Sequence, residues 1–272
     1  MRLINQKPSR SNVLLLGLLP FLLLVLVYVF ASNARLQDNA DDKLLPSISQ
    51  MVQTMEKSAL SPSKRSNEII FFNDTLSSLK RLGMGVVISA LVGLALSIPL
   101  GLIPLIRAGF SPFIAAFSMV PPIAILPILF IVFGMGEVAK VALIVIGVTP
   151  LIVRDLEHRV EEFSKEQLIK AQTLGASTWT LVIRIILPQM LPRLLDSVRL
   201  TLGTAWIFLI SSEAIAATEG LGYRIFLVRR YLAMDMIIPY VIWITLLAFL
   251  ADFLLKRITC KLFPWYENKD KA

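Results

Sequence analysis

The sequence is poor in reactive side chains. Among 272 residues there is one cysteine, Cys260, and one histidine, His158. A lone cysteine excludes an intrachain disulfide, and an inert thiol is expected. His158 has no second histidine to share a metal with, so it reads as a solvated loop residue and no metal site is expected. No G-x-x-x-x-G-K-[ST] phosphate loop occurs, nor even a Gly-Lys pair, so the nucleotide-binding loop of an ATPase is missing. No nucleophile–base pair lies within the apolar runs, which argues against an intramembrane enzyme. Charge is scarce too: 17% of residues are charged, against roughly 25% in soluble domains. No internal repeat is visible.

Long uncharged runs take their place. Val13 to Ala31, Leu82 to Ile106 and Ala108 to Gly136 carry no charge. About 20 apolar residues at a helical rise of ~1.5 Å cross the ~30 Å hydrocarbon core. Without water there, the backbone must bond to itself as helix. Three weaker runs, Val141 to Val153, Leu200 to Ser212 and Met236 to Ala251, reach that length only by including polar ends. These suit helices packed on protein or a watery path. The expectation is an all-α membrane protein with about six spans. The first run resembles a signal peptide in its basic start, but its core exceeds the ~7–15 residues of such a segment, so an uncleaved span is expected.

The net charge is +8. In a membrane chain this points to cytoplasmic loops rather than nucleic acid. Placing the N-terminus inside puts most of the 27 Lys and Arg residues on the inner side, among them Arg107, Arg154, Arg159, Lys165, Lys170, Arg184, Arg193 and Arg199. Both termini are therefore expected in the cytoplasm. The expected organisation is a tail and first span over 1–31, a periplasmic segment over 32–74, a permease-like core over 75–258 with a cytoplasmic loop at 155–192, and a tail over 259–272. Asn73, Asp74 and Thr75 are candidate caps for the helix entering span two.

Span two places Gly85, Ser89, Gly93, Ser97 and Gly101 every four residues, hence on one stripe. Small residues let another backbone approach closely, so this helix packs against protein. Span three holds Pro121, Pro122 and Pro127. Each removes a backbone donor and clashes with the preceding turn, so a bend or break is expected. Met119, Pro121 and Pro122 there either gate a path or form a structural kink.

Between spans four and five, Leu168, Ala171 and Leu174 share one helix face, and Glu162, Lys165, Glu166 and Lys170 cover the rest. Gly175 then ends the helix. A second amphipathic helix carries Trp179, Val182, Ile183 and Ile186 and is expected to stop before Pro188. This knob is either a handle for a partner or a surface helix on lipid headgroups.

The stretch Ile169 to Pro188 resembles the signature loop of ABC importer permeases: Glu-Ala-Ala, three residues, Gly, nine residues, Ile, one residue, Leu-Pro. Ala171, Gly175, Ile185, Leu187 and Pro188 fit; Ile169 and Lys170 replace the opening Glu-Ala. Pro121-Pro122-Ile123-Ala124-Ile125-Leu126-Pro127, Phe133-Gly134-Met135-Gly136-Glu137, Ser212-Glu213-Ala214-Ile215-Ala216-Ala217 and Gly220-Leu221-Gly222-Tyr223 are similar to the nitrate/sulfonate/taurine/bicarbonate branch of those permeases. The resemblance covers about Leu45 to Leu262. It implies a type I importer (MetI-like) permease fold in a bacterial inner membrane. It implies two permease copies, two ABC ATPase subunits and a periplasmic substrate-binding protein. It also implies ATP and Mg on the ATPase subunits, and no cofactor on this chain. The loop residues Leu168, Ala171, Leu174, Gly175, Ala176 and Trp179 would couple to the ATPase. Met119, Pro121, Pro122, Glu213, Gly220 and Gly222 would line or gate the path.

Arg224, Arg229 and Arg230 follow the Gly220-Leu221-Gly222 turn. They would draw in an anionic solute through paired guanidinium donors. The alternative is that Glu213 pairs with one of them and the others dock a partner or reach the headgroups. The same fold could import a thiamine precursor, an amino acid or a metal chelate instead. A channel or secondary transporter would instead move solute without nucleotide.

Overall fold

The computed structural model describes residues 9–39, 42–60 and 69–267. Every regular element among them is helical. They fall into two compact units, one of the described residues up to 69 with 228–241 and the other of 70–227 with the described residues from 242 on.

The first unit holds α1 (Arg10–Asp38) and α2 (Ile48–Leu60), together with the start of α11 (Met234–Leu262). Ser9 caps α1 by accepting the Asn12 amide. The apolar side chains from Val13 to Val27 are all exposed, and the most apolar 18-residue window of α1 holds no buried residue. Beyond them the chain folds back. Tyr28 donates its hydroxyl to the Pro46 carbonyl (2.7 Å), and Ser32 donates to the Leu45 carbonyl (2.9 Å). Leu44 donates its amide to Asp42, and this bond holds the Asp42 carboxyl below its ordinary range, helped by Arg35. On α2, Thr54 donates to Asp235 at 2.7 Å.

The second unit is a bundle of α3 (Ile70–Leu102), α4 (Pro104–Phe117), α5 (Pro122–Phe133), α6 (Glu137–Glu161) and α9 (Leu187–Ala216). The short helices α7 (Lys165–Thr173), α8 (Thr178–Leu181) and α10 (Leu221–Arg229), the rest of α11, and α12 (Pro264–Glu267) complete it. The α3 stripe forms its central seam. A Cβ on Gly85 would lie 2.6 Å from Ile144, one on Gly93 2.6 Å from Ile152, and one on Gly101 2.4 Å from Val160. Both sets advance by eight residues, so α3 and α6 run parallel in close contact. The chain must therefore return between them, and the bent α4–α5 pair does so. Gly147 of α6 meets the Phe208 ring of α9 in the same way. Ser197 of α9 donates to Asp155 of α6 further along. These two contacts make α9 antiparallel to α6.

Two expectations need correction, and a third is met only in part. Asp74 does not cap α3, because the helix already begins at Ile70 and Asp74 lies inside it, buried. The helix after Gly175 does not stop before Pro188. It runs on from Thr178 to Ala216 through a wider π turn at Val182–Ile186. There the Leu187 amide bonds the Val182 carbonyl, five residues back. Six spans are not all evident by length and composition. Among the described residues four helices qualify, and a fifth span if α4 and α5 count as one broken span. α6 has 25 residues but carries Glu137 and Lys140 at one end and Arg154 and Asp155 near the other. Its apolar middle is buried in the bundle instead of facing outward.

Candidate functional site

The break in the third apolar run falls where the prolines stand. α4 ends at Phe117, α5 starts with Pro122 at its first position, and the two helices meet at 92°. Met119 sits on the bend with 77% of its surface exposed. Pro127 leaves α5 unbroken. Gly134, at φ 74°, ends α5 in a left-handed conformation, and Gly136 starts α6. No residue from Pro122 to Phe133 is polar, so α5 is held by packing alone.

The α7–α8 segment is a built turn. At the end of α7 the Ala176 amide bonds the Ala171 carbonyl at 3.0 Å, and the Gly175 amide bonds Gln172 at 2.9 Å. This 6→1 and 5→2 pair defines a Schellman cap, which needs the left-handed residue that Gly175 supplies at φ 85°. Ser177 then caps α8 by accepting the Thr180 amide. The turn leaves Leu174 88% and Trp179 72% exposed, with Ile169 also exposed. Leu168, Ala171 and Ala176 are half-buried. Leu174 thus leaves the face expected to hold it with Leu168 and Ala171, because it caps the helix. Beneath the knob, Phe163 is buried under the Arg193 guanidinium, 5.1 Å from its ring, and Arg193 also bonds the Arg159 carbonyl. The knob has a fixed shape and an apolar tip.

At the opposite end of the bundle, about 37 Å away along α6 at ~1.5 Å per residue, lies a cluster of charges centred on Arg81. Arg81 is 2% exposed. It donates from Nε and Nη2 to the two Glu137 oxygens at 2.5 and 2.9 Å. It also donates from Nη1 to Glu213 at 2.8 Å and to the Glu219 carbonyl at 2.9 Å. The Glu219 carboxylate stands 3.4 Å from Nη2. Glu213, fully buried, further accepts from the Ser78 hydroxyl at 2.8 Å and the Gly222 amide at 2.9 Å. Lys140, also buried, pairs with Glu137 at 2.7 Å. Beside them Asp74 accepts from Arg224 at 2.8 Å and from the Gly220 amide at 2.9 Å.

The expected site residues at this end lie within or beside the cluster. Glu213 is enclosed, with its oxygens bonded to Arg81, Ser78 and the Gly222 amide. Gly220 and Gly222 are there for contact: a Cβ on Gly220 would lie 2.6 Å from the Glu213 carboxyl, and one on Gly222 2.8 Å from the Ile210 carbonyl. Glu213 does pair with an arginine, but with Arg81 rather than one of the three expected. Arg224 is bound to Asp74. Arg229 and Arg230 are exposed and belong to the other unit. The ion cluster of Arg81, Glu137, Ser78 and Glu219 was not anticipated, and Asp74 was expected only as a cap. One signal pointed to Arg81: it stands four residues before Gly85 and so continues the packed stripe. A charge on a packed stripe requires a buried partner.

Comparison with known proteins places these features. Residues 85–263 match the family model described as binding-protein-dependent transport system inner membrane component. The chain is 33% identical over 190 residues to the taurine transport system permease protein TauC of Escherichia coli, covering 70% of this chain and 69% of that one. It is 27% identical over 183 residues to the bicarbonate transport system permease protein CmpB of Synechococcus elongatus, covering 66% of each. In structure it is similar to a chain of the inward-facing MetNI methionine ABC transporter. The TM-score is 0.63 at 21% identity, over 72% of this chain and 97% of that one. The fold is thus that of a MetI-type permease. With the bent span, the parallel α3–α6 seam and the capped knob all inside the matched range, the chain belongs to the family of binding-protein-dependent transport system inner membrane components, the multi-pass permease subunits of ABC importers.

Proposed function

We propose that this chain is one of two identical permease subunits that import a small anionic or zwitterionic organic solute, a sulfonate such as taurine first, with nitrate and bicarbonate as the alternatives. Two separate ABC ATPase subunits, holding ATP and Mg, drive it from the cytoplasmic side of a bacterial inner membrane. A periplasmic binding protein delivers the solute. In this reading the chain itself binds no cofactor and both its termini lie in the cytoplasm. α6 completes the spans, and the bend at Met119, Pro121 and Pro122 lies on the path.

The observation that carries this reading is the knob. A Schellman turn presents Leu174 and Trp179 almost fully exposed, on a segment otherwise rich in charge. Trp and Leu side chains presented together on a capped turn suit the apolar centre of a protein–protein contact. The relatives named for taurine and bicarbonate transport support the solute class. Guanidinium groups at Arg229 and Arg230 suit an oxyanion.

Proteoliposomes containing the chain with its ATPase and binding protein test the reading. Labelled taurine should accumulate only with ATP inside and binding protein outside. Accumulation at full rate without the ATPase subunit would make the chain a channel or secondary transporter. ATP-dependent uptake of nitrate or bicarbonate, with none of taurine, would change the solute.

A further inference from the structure

We propose that Arg81 is a positioning residue that keeps the hub ends of α3, α6 and α9, with the turn at 217–220, together as one block throughout the transport cycle. Motion is then left to α5, since α4 is itself tied to α6 by the Arg107–Glu161 ion pair at 2.8 Å. The inference rests on the permease reading for its transport consequence only.

Arg81 links all four elements. It rises from α3, takes both oxygens of Glu137 at the start of α6, one oxygen of Glu213 near the end of α9, and the backbone carbonyl of Glu219 in the turn. A planar guanidinium has five N–H donors in a fixed fork, so its partners are held in direction as well as distance. Glu213 fixes the turn a second time through the Gly222 amide, and Asp74 of α3 does so through the Gly220 amide. Sliding any one helix would break bonds to a buried charge at several points together. α5 is the opposite case. It has no polar side chain between Pro122 and Phe133, and a proline break separates it from α4, so shifting it breaks no ion pair. A bundle built this way has one stiff part and one part free to reorient.

Glu137 and Glu219 have side chains 56% and 42% exposed, so their amides should leave the chain folded while loosening the fork. The test uses the whole importer in proteoliposomes, with Cys260→Ser as background. Spin labels on Leu76→Cys and Val138→Cys, both exposed on α3 and α6, report the block directly. We expect one narrow label distance, unchanged between the nucleotide-free and ATP-bound states. In the Glu137→Gln/Glu219→Gln double variant it should broaden or shift, and solute taken up per ATP hydrolysed should fall about fivefold or more. Arg81→Lys keeps the charge but loses the fork, and should behave like the double variant. A wild-type distance that changes on ATP binding would overturn the proposal, since the cluster would then be a gate that opens. So would a double variant with the parental distance and coupling ratio. A background importer that takes up no solute sinks the permease reading instead, while the label distances still decide this one.

Discussion

The two ends of the bundle handle side chains in opposite ways. At the hub end, charges are buried: Arg81, Lys140, Glu213 and Asp74 are all nearly inaccessible. At the knob end, apolar groups are exposed: Leu174 and Trp179 stand in the open. A buried charge is stable only while its partners hold still, because an unpaired charge in a dry site is costly. An exposed apolar group gains only when something comes to cover it. One end is therefore built for rigidity and the other for contact. The contrast teaches where sequence changes should register as lost folding and where as lost partnership.

The comparison breaks most sharply at Arg81. Arg81→Ala or Glu213→Ala leaves a buried charge without its partner and should cost about 3–5 kcal/mol. Thermal unfolding in detergent would show this as a large fall in midpoint. No such fall would mean that water reaches the cluster.

Each end also has a left-handed glycine, and these two should differ. A Cβ at Gly220 would strike the Glu213 carboxyl, whereas one at Gly175 would meet nothing within 4 Å. Gly175→Ala should cost only the backbone term, about 1–2 kcal/mol. Gly220→Ala should cost that plus about 1–3 kcal/mol of overpacking. Unfolding midpoints measured side by side would rank them, and equal values would remove the distinction between a packed turn and a free one.

The smallest stability effect belongs to the knob tip. Leu174→Asp with Trp179→Ala should change unfolding by no more than about 0.5 kcal/mol, as is usual for surface sites. The same variant should lose co-purification with the ATPase subunit. A folded variant that still binds the subunit would return the knob to the headgroup reading.

Much of the design was readable along the chain because it is periodic or local. The stripe from Gly85 to Gly101 announced a helix seam, since a step of four keeps residues on one face. Pro121 and Pro122 announced the break, since a proline's missing donor acts on its own turn. Gly175 announced the end of α7 for the same kind of reason. Boundaries read less well. Pro188 looked like a stop, but the helix runs on through a π turn just before it, and nothing in the residues Val182 to Ile186 signals that turn. Asp74 looked like a cap because its residue type favours caps, yet its partners Gly220 and Arg224 lie 146 and 150 residues away.

The amino-acid order alone thus determined the helical class, the apolar runs, the bend and the shape of the α7–α8 turn. Each depends on neighbours within a few residues, where spacing stands in for geometry. Only the tertiary structure decided which charges meet: Arg81 reaches Glu137 across 56 residues and Glu213 across 132. Ion pairs and hydrogen bonds depend on distance and direction in space. A charge near an apolar run reads the same in sequence whether it lines a path or is locked in a core, and only its partners tell the two apart.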